Sequence, residues 1–189
     1  VVAYIFLHLF WFFGVNGGSV VGAVFNPILQ TLSAGNIAGE HHIICQQFQD
    51  LFATFGGAGS TLSLVIAMLL FCKSKRITNL GKLSFVPGIF GINEPILFGA
   101  PIVLNPMFFI PFVICGGIIG SLGGWAMYLG IMKCSTFTPP YVGVFLEGFL
   151  TNMDPMSIVV NAVQLILSIL IWYPFVKSYE KTYGNKEEE

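Results

Sequence analysis

One carboxylate stands alone in the most apolar part of the sequence. Glu94, in the stretch GINEPILFGAP, is the only charged residue between Lys82 and Lys133. A charged side chain at the centre of a bilayer costs at least about 2.5 to 3.5 kcal/mol, so it persists where a function or a partner requires it. We expect Glu94 to be buried and to accept hydrogen bonds from a polar ligand or to handle protons; a structural cap on nearby amides is the alternative. Asn93 offers a donor and an acceptor beside it.

Other polar residues could contact a ligand as well. Asn16 lies between glycines in GVNGGS, and Gly17 would let the backbone approach a ligand closely; a simple loop at a helix end explains the pattern equally well. Gln47 belongs to the polar run QQFQD, for which a water-exposed surface is favoured over ligand contact. Glu147, in FLEGFL, is a weaker candidate than Glu94.

Enzyme chemistry finds no support in the sequence. It contains no GxSxG, HExxH or phosphate-binding P-loop. His41, His42 and Cys45 do not suggest zinc, because only two of them could share a helix face and a zinc site needs three or four ligands. We therefore predict no catalytic residue, no metal and no cofactor.

The composition indicates the environment in which these polar residues must be held. Hydrophobic residues make up 55% of the chain and charged residues 9%, whereas soluble domains carry about 25% charged residues. So little charge cannot cover a surface that faces water. The net charge of -1 does not favour a nucleic-acid partner. The composition predicts an all-α membrane protein that crosses the lipid bilayer several times.

Several stretches are apolar enough to cross a bilayer, which takes about 20 residues. Two are long, Met107 to Met132 and Met156 to Val176, and a shorter one runs from Gly56 to Cys72. Val1 to Phe13 is interpreted as the end of a truncated helix that breaks at GVNGGS and then resumes. Residues 1 to 176 are predicted to form a membrane domain, and residues 177 to 189 a cytoplasmic tail.

The distribution of lysines predicts a re-entrant segment. Basic residues cluster in the loop after Cys72 and again from Lys177 onward, so both regions should lie in the cytoplasm. The number of membrane crossings between these two regions must then be even, and the two long spans already give an even number. Residues 83 to 105 are rich in proline and glycine, which prevent one continuous helix. We expect them to form a hairpin that enters the membrane and returns, with Glu94 near its tip.

Two further segments leave alternatives open. Residues 138 to 151 are too short to span and form either a second partial entry or a surface helix. Residues 40 to 55 form either an amphipathic helix or one arm of another hairpin. Broken helices beside isolated polar groups are typical of transporter binding sites.

Small and polar residues in the long spans predict how the helices pack. Gly116, Gly120 and Gly124 follow the four-residue spacing of closely packed membrane helices. Asn161, Gln164 and Ser168 share one face of the last span, and we expect them to form hydrogen bonds between helices.

Long stretches of the chain resemble a known family. KLSFVPGIFGINEPILFGAPIVLNPMFFIPFV is similar to enzyme IIC, the membrane subunit of the bacterial sugar phosphotransferase system (PTS), in its lactose and cellobiose (diacetylchitobiose) branch. The family is also similar in FWFFGVNGGSVVGAVFNPIL, QQFQDLFATFGGAGSTLSLVIAMLLFCKSK, TPPYVGVFL and WYPFVKSYEK. The resemblance covers nearly this whole chain but only the C-terminal half of a usual member.

The resemblance implies a fold, a substrate and partners. It implies membrane spans with two re-entrant hairpins, and an absent N-terminal half that forms the homodimer. It places a disaccharide near Asn93 and Glu94, for phosphorylation by the cytoplasmic IIB subunit, which is itself served by IIA. Many members carry histidine where this chain has Asn16, and tryptophan before the Pro-Pro pair, where Phe137 could still stack on a sugar ring. None of the four cysteines matches a phosphoryl donor.

The function predicted from the sequence is that of a PTS sugar permease in the cytoplasmic membrane of a bacterium. An ion- or proton-coupled secondary transporter, with Glu94 as the coupling carboxylate, is the runner-up. A membrane scaffold whose polar groups only join helices is the third hypothesis.

Overall fold

The fold is built from helices joined by short turns. The computed structural model describes residues 1–140 and 142–184, and within them there are α-helices, short π and 3-10 turns and no β-strand. The predicted all-α fold is therefore confirmed. The α-helices, in chain order, are α1 Val2–Phe12, α2 Gly17–Ile37, α3 Gln46–Phe48, α4 Thr61–Phe71, α5 Lys75–Ile89, α6 Glu94–Gly99, α7 Pro106–Gly117, α8 Leu122–Tyr128, α9 Val144–Asn152 and α10 Met156–Tyr183.

Three helical stretches of the described chain are long and apolar enough to cross a membrane: Gln46–Phe71, Pro106–Tyr128 and Met156–Tyr183. The last two confirm the long spans predicted from the sequence. The first corrects the third predicted span, because it begins at Gln46 and not at Gly56. Gln47 and Gln49 in its polar N-terminal turns are buried inside the protein, so the polarity of these turns does not keep them out of the span.

The stretch Gln46–Phe71 is interrupted at its middle. A π-helical turn, Gln49–Ala53, follows α3, and the backbone then takes positive φ angles at Gly57 (90°) and Gly59 (69°) before α4 begins. The indole Nε1 of Trp172 in α10 donates a hydrogen bond of 3.2 Å to the Gly59 carbonyl. This bond satisfies one of the backbone groups that the broken helix leaves without a helical partner.

Residues 75–105, here called hairpin A, enter the helical bundle and return. At the entry, the carboxylate of Glu180 near the end of α10 accepts hydrogen bonds from the backbone N–H groups of Lys73 and Ser74. At the exit, the ring of Phe108 lies 4.9 Å from that of Tyr179, so both ends of hairpin A lie beside the last turns of α10. This is the path predicted for residues 83 to 105, with the inward arm starting earlier, in α5.

Residues 133–155, here called hairpin B, approach from the opposite end. Its base is closed by hydrogen bonds from the backbone N–H of Lys133 to Asp154 (3.0 Å) and from the Asn152 amide to the Lys133 carbonyl (2.9 Å). The adjacent Met132 packs in the cluster around Cys45, where the first span begins. Of the two alternatives left open for residues 138 to 151, the structure therefore shows the partial entry.

The tips of the two hairpins meet inside the protein. Gly143, at the start of α9, has a φ of 101° and faces Ile89 at the end of α5. Val144 packs in a buried cluster with Phe55 and Leu62 of the interrupted span. The two hairpins and the break in the first span are thus brought to one place.

Close packing and buried amides hold the spans around these tips. As predicted, glycines of the span Pro106–Tyr128 pack closely against other segments: Gly116 faces the His8 ring, and Gly120 faces the Ala53 backbone. Gln164 in α10 is buried, and its Nε2 donates to the carbonyls of Phe52 (3.3 Å), Ile119 (2.9 Å) and Gly120 (3.4 Å). Asn161 Nδ2 donates to the Val144 carbonyl (3.1 Å), so the predicted contacts between helices are confirmed for Asn161 and Gln164. Within the described residues the hydroxyl of Ser168 has no partner, so the prediction is wrong for Ser168.

Candidate functional site

A cavity of about 300 Å³ lies where the hairpin tips and the broken span meet. Its polar lining comes from three separate parts of the chain: the π-turn region, the tip of hairpin A and the start of α9. The side chains and backbone that line it are those of Leu7, Trp11, Gly18, Gln49, Asp50, Leu51, Thr54, Gly56, Gly57, Ala58, Phe90, Gly91, Asn93, Glu94, Val144 and Glu147. Residues that are distant in the sequence thus share one chamber, here called the central cavity.

Asn93 presents an unused hydrogen-bond donor at this cavity. Its side chain is 5% exposed, and its Nδ2 has no hydrogen-bond partner. A buried amide without a partner costs about 1 to 3 kcal/mol. Asn93 lines the cavity, so a ligand whose acceptor reaches Nδ2 would recover that free energy.

Glu94 is the first residue of α6 and lines the same cavity. The structure corrects the expectation that it is buried, because Glu94 is exposed. The tip of hairpin A turns the carboxylate toward the open cavity and not into the packed core. Among the residues that the structure describes, Glu94 has no hydrogen-bond or ion-pair partner. Both of its oxygens are therefore available to accept hydrogen bonds.

Two more carboxylates face the central cavity. Oε1 of Glu147 accepts hydrogen bonds from the backbone N–H groups of Val142 (2.9 Å) and Gly143 (3.2 Å), so it also shapes the tip of hairpin B. Oδ1 of Asp50 accepts a hydrogen bond of 2.9 Å from the Gln46 side chain. The sequence had marked Glu147 as a weak candidate and had assigned Asp50 to a surface.

The polar run QQFQD does not form the outer surface that the sequence favoured. Gln47 and Gln49 are each only 6% exposed, and Gln49 lines the central cavity. Sequence reasoning missed Gln49 and Asp50 as site residues. The available signal was their position in a span whose polar face must point inward.

Gln47 lies at a smaller cavity of about 110 Å³ that shares Asp50 and Glu147 with the central one. Its side chain accepts a hydrogen bond of 2.6 Å from Ser33 Oγ and donates one of 3.0 Å to Thr138 Oγ1. The smaller cavity continues the polar lining from the central cavity toward the base of hairpin B.

The remaining predicted residues lie near the cavity lining but do not belong to it. The side-chain oxygen of Asn16 accepts a hydrogen bond of 2.9 Å from the Ser19 N–H and caps α2. Gly17 packs against the backbone of Leu7, and its neighbour Gly18 lines the central cavity. Phe137 is 45% exposed. Ligand contact by Asn16, Gly17 and Phe137 stays a prediction.

Together, the fold and the cavity define a class of protein: an integral membrane protein of the transporter type, with re-entrant hairpins around a polar chamber. Comparisons with known proteins specify it further. The model of the family described as Phosphotransferase system, EIIC, matches residues 1–116. The chain belongs to this family.

Individual relatives agree with this assignment. The chain is 35% identical, over its whole length, to the oligo-beta-mannoside-specific EIIC component of the PTS in Bacillus subtilis (strain 168), and it covers 45% of that protein. It is 34% identical to the cellobiose-specific EIIC component of Lactococcus lactis subsp. lactis (strain IL1403), with 94% of the chain and 42% of the relative covered. Against the lactose-specific EIICB component of Lacticaseibacillus casei the identity is also 34%, covering 96% of the chain and 33% of the relative.

A solved structure has the same fold. The transporter ChbC, the IIC component from the N,N'-diacetylchitobiose-specific phosphotransferase system, superposes with a TM-score of 0.92 at 34% identity. The match covers 99% of this chain and 45% of ChbC. The chain therefore spans less than half the length of the relatives named here.

Proposed function

We propose that this chain is the sugar-binding transport region of a PTS permease for a disaccharide. The observation that carries the proposal is the pairing of Asn93 and Glu94 at the central cavity, one with an unused donor and the other with an unused carboxylate. Sugar hydroxyls both donate and accept hydrogen bonds, so one hydroxyl can satisfy each group. The cavity volume of about 300 Å³ lies at the lower end of small-molecule sites.

The substrate is a disaccharide built from glucose- or galactose-type units. Lactose, cellobiose and N,N'-diacetylchitobiose in the relatives' names support this class. Hydrogen bonds to a charged group contribute about 1.5 to 3 kcal/mol each, so Glu94 supplies the largest share of the affinity and Asn93 fixes the orientation. Gln49 and Thr54 complete a polar wall, while Trp11 provides an apolar face.

The proposal includes a cellular setting, which membership of the family supports. The protein lies in the bacterial cytoplasmic membrane, with the base of hairpin A and the end of α10 on the cytoplasmic side. A cytoplasmic IIB subunit, recharged by IIA, phosphorylates the bound sugar, and the complete protein is a homodimer. The EIICB names of relatives, in which both components are part of one protein, support the pairing with IIB.

Uptake by membrane vesicles that contain the full-length protein tests the proposal. Accumulation of labelled cellobiose, lactose or N,N'-diacetylchitobiose should require phosphoenolpyruvate and the IIB and IIA subunits, and the sugar should be recovered as its phosphate. Uptake driven by a pH gradient without phosphoenolpyruvate would instead identify a secondary transporter that uses Glu94 for coupling. Absence of uptake of all three sugars under both conditions would leave a structural role.

A further inference from the structure

The central cavity is lined by acidic groups without any compensating base. Three carboxylates, Asp50, Glu94 and Glu147, reach it from three different elements. Among the residues described, neither this cavity nor the smaller one beside it is lined by a lysine, arginine or histidine. Asn93 lines the same cavity with a side chain that is 5% exposed, and within the described residues its Nδ2 donor has no partner. This observation points to a ligand independently of the carboxylates.

The local hydrogen bonds compensate these charges only in part. Glu147 receives two backbone N–H groups and Asp50 one amide, while Glu94 receives none. The donors are neutral, so the formal charge of the three carboxylates is not cancelled within the lining. Asp50 and Glu94 are exposed and Glu147 is partly exposed where they line the cavity, so all three carboxylates act on a charged ligand that enters it.

We propose that this acidic lining selects ligands by charge, so that the cavity holds a neutral disaccharide and rejects the same sugar once it carries a phosphate. The inference rests on the proposed function. A phosphate ester carries about -1.5 to -2 charges at pH 7, and in this chamber it would meet three carboxylates and no cation. Transfer of a phosphoryl group to the sugar would thus replace a neutral hydroxyl by a repelled group and would promote release of the product.

Competition binding to the purified full-length protein tests this inference. The labelled probe is whichever neutral disaccharide of cellobiose, lactose and N,N'-diacetylchitobiose binds, and the competitors are its 6-phosphate and its 6-O-acetyl ester. The ester adds bulk at the same position without charge, so it separates steric from electrostatic rejection. We expect the phosphate to bind at least about tenfold more weakly than the ester.

Two variants test whether the carboxylates of the central cavity cause the weaker binding of the phosphate. In Asp50→Asn and Glu147→Gln the ratio of phosphate to ester dissociation constants should fall by about threefold or more, even where the affinity for both ligands changes. Glu40→Gln is the matched control, because Glu40 pairs with His42 away from the cavity and should leave the ratio unaltered.

The outcomes separate the inference from the proposed function. Equal binding of the phosphate and the ester overturns selection by charge while the sugar site stands. A high ratio that persists in both cavity variants shows that Asp50 and Glu147 do not reject the phosphate, and it overturns the role given to the acidic lining. Failure of all three neutral disaccharides to bind overturns the proposed function, and the inference with it.

Discussion

Asn93 packs directly on Gly57. A Cβ atom added to Gly57 would lie 2.8 Å from the Cβ of Asn93, closer than real side chains approach one another. The tip of hairpin A therefore rests on the break in the span Gln46–Phe71, and the position of the candidate ligand donor depends on a residue without a side chain.

Replacing Gly57 by alanine should weaken sugar binding by displacing Asn93. Because Gly57 has a φ of 90° and a ψ of 170°, Gly57→Ala also strains the backbone, by about 1 to 3 kcal/mol. Gly39→Ala separates the two effects, since Gly39 has a φ of +101° and nothing within 4 Å of the added methyl group. We expect a loss of affinity of tenfold or more in Gly57→Ala and none in Gly39→Ala, measured by equilibrium binding. Equal affinities in the two variants would contradict the role of this contact.

Glu94→Gln should reduce disaccharide affinity by about ten- to a hundredfold, which corresponds to 1.4 to 2.8 kcal/mol. The substitution keeps the shape of the side chain and removes the charge that strengthens its hydrogen bonds. The protein should still fold, because Glu94 has no partner within the described chain. Binding of labelled disaccharide to purified protein is the measurement, with Glu40→Gln as the control. An unchanged affinity would contradict a role of the Glu94 charge in sugar binding and would leave Glu94 as a coupling group.

Asn93→Leu should leave the empty protein at least as stable as before and abolish its stabilisation by sugar. The substitution removes a buried donor that has no partner, and so removes its desolvation penalty. Sugar at a hundred times its dissociation constant stabilises a protein by about 2.7 kcal/mol. Thermal unfolding with and without disaccharide measures both effects. A sugar-induced shift equal to that of the unmodified protein would place the ligand away from Asn93.

Gln164→Met should loosen the bundle without changing sugar affinity. The variant keeps the volume of the side chain but loses its donors to the carbonyls of Phe52 and Ile119. Hydrogen bonds between membrane helices contribute about 0.6 kcal/mol each on average and at most about 1.7 each. The loss of these two bonds should therefore lower the free energy of unfolding by about 1.2 to 3.4 kcal/mol. Complete loss of binding in a folded variant would mean that the site extends to α10.

Cysteines introduced at Lys75 and Ser178 should be labelled from the same side of the membrane. The hydrogen bond of 2.9 Å from the Ser74 N–H to Glu180 places the start of α5 beside the end of α10. Labelling with a membrane-impermeant maleimide in oriented vesicles measures this. Labelling of the two positions from opposite sides would make residues 83 to 105 a true span.

The native Cys72 should add little background to that experiment. Burial raises the pKa of its thiol to about 11, with the nearby Glu180 carboxylate acting in the same direction. Because the thiolate is the reactive form, nearly all of Cys72 is unreactive at pH 7. Its labelling rate should rise about tenfold for each unit by which the pH is increased, up to about pH 11. Fast labelling of Cys72 at pH 7 would contradict its burial.

The path of hairpin A was predictable from the sequence, because the basic residues and the prolines both indicate that this segment does not cross the membrane. The basic loop and the lysines from Lys177 onward fix which ends share a side, and the prolines around Glu94 exclude a continuous helix. The orientation of the last span was equally predictable. Asn161, Gln164 and Ser168 share one face of this apolar helix, and such a polar face has to point toward other protein.

The polar lining from the broken span was not predictable in the same way. Gln49 and Asp50 form a pattern that is the same whether a polar face meets bulk water or a chamber inside the protein. Whether they face water or the chamber depends on the break at Gly57, next to the residue at which the sequence predicts the start of a span, Gly56. The exposure of Glu94 was missed for a related reason, since the sequence shows an apolar neighbourhood but not the cavity within it.

The meeting of the two hairpin tips also constrains how the protein is made. Non-helical backbone is stable at membrane depth only inside protein or beside a water-filled cavity, and a carboxylate such as Glu94 is costly in lipid. Neither tip can therefore settle at its final depth before the flanking spans have come together. During biogenesis the spans must enter first and the hairpins fold in afterwards, so the chamber is the last part of this region to form and the first to be lost on unfolding.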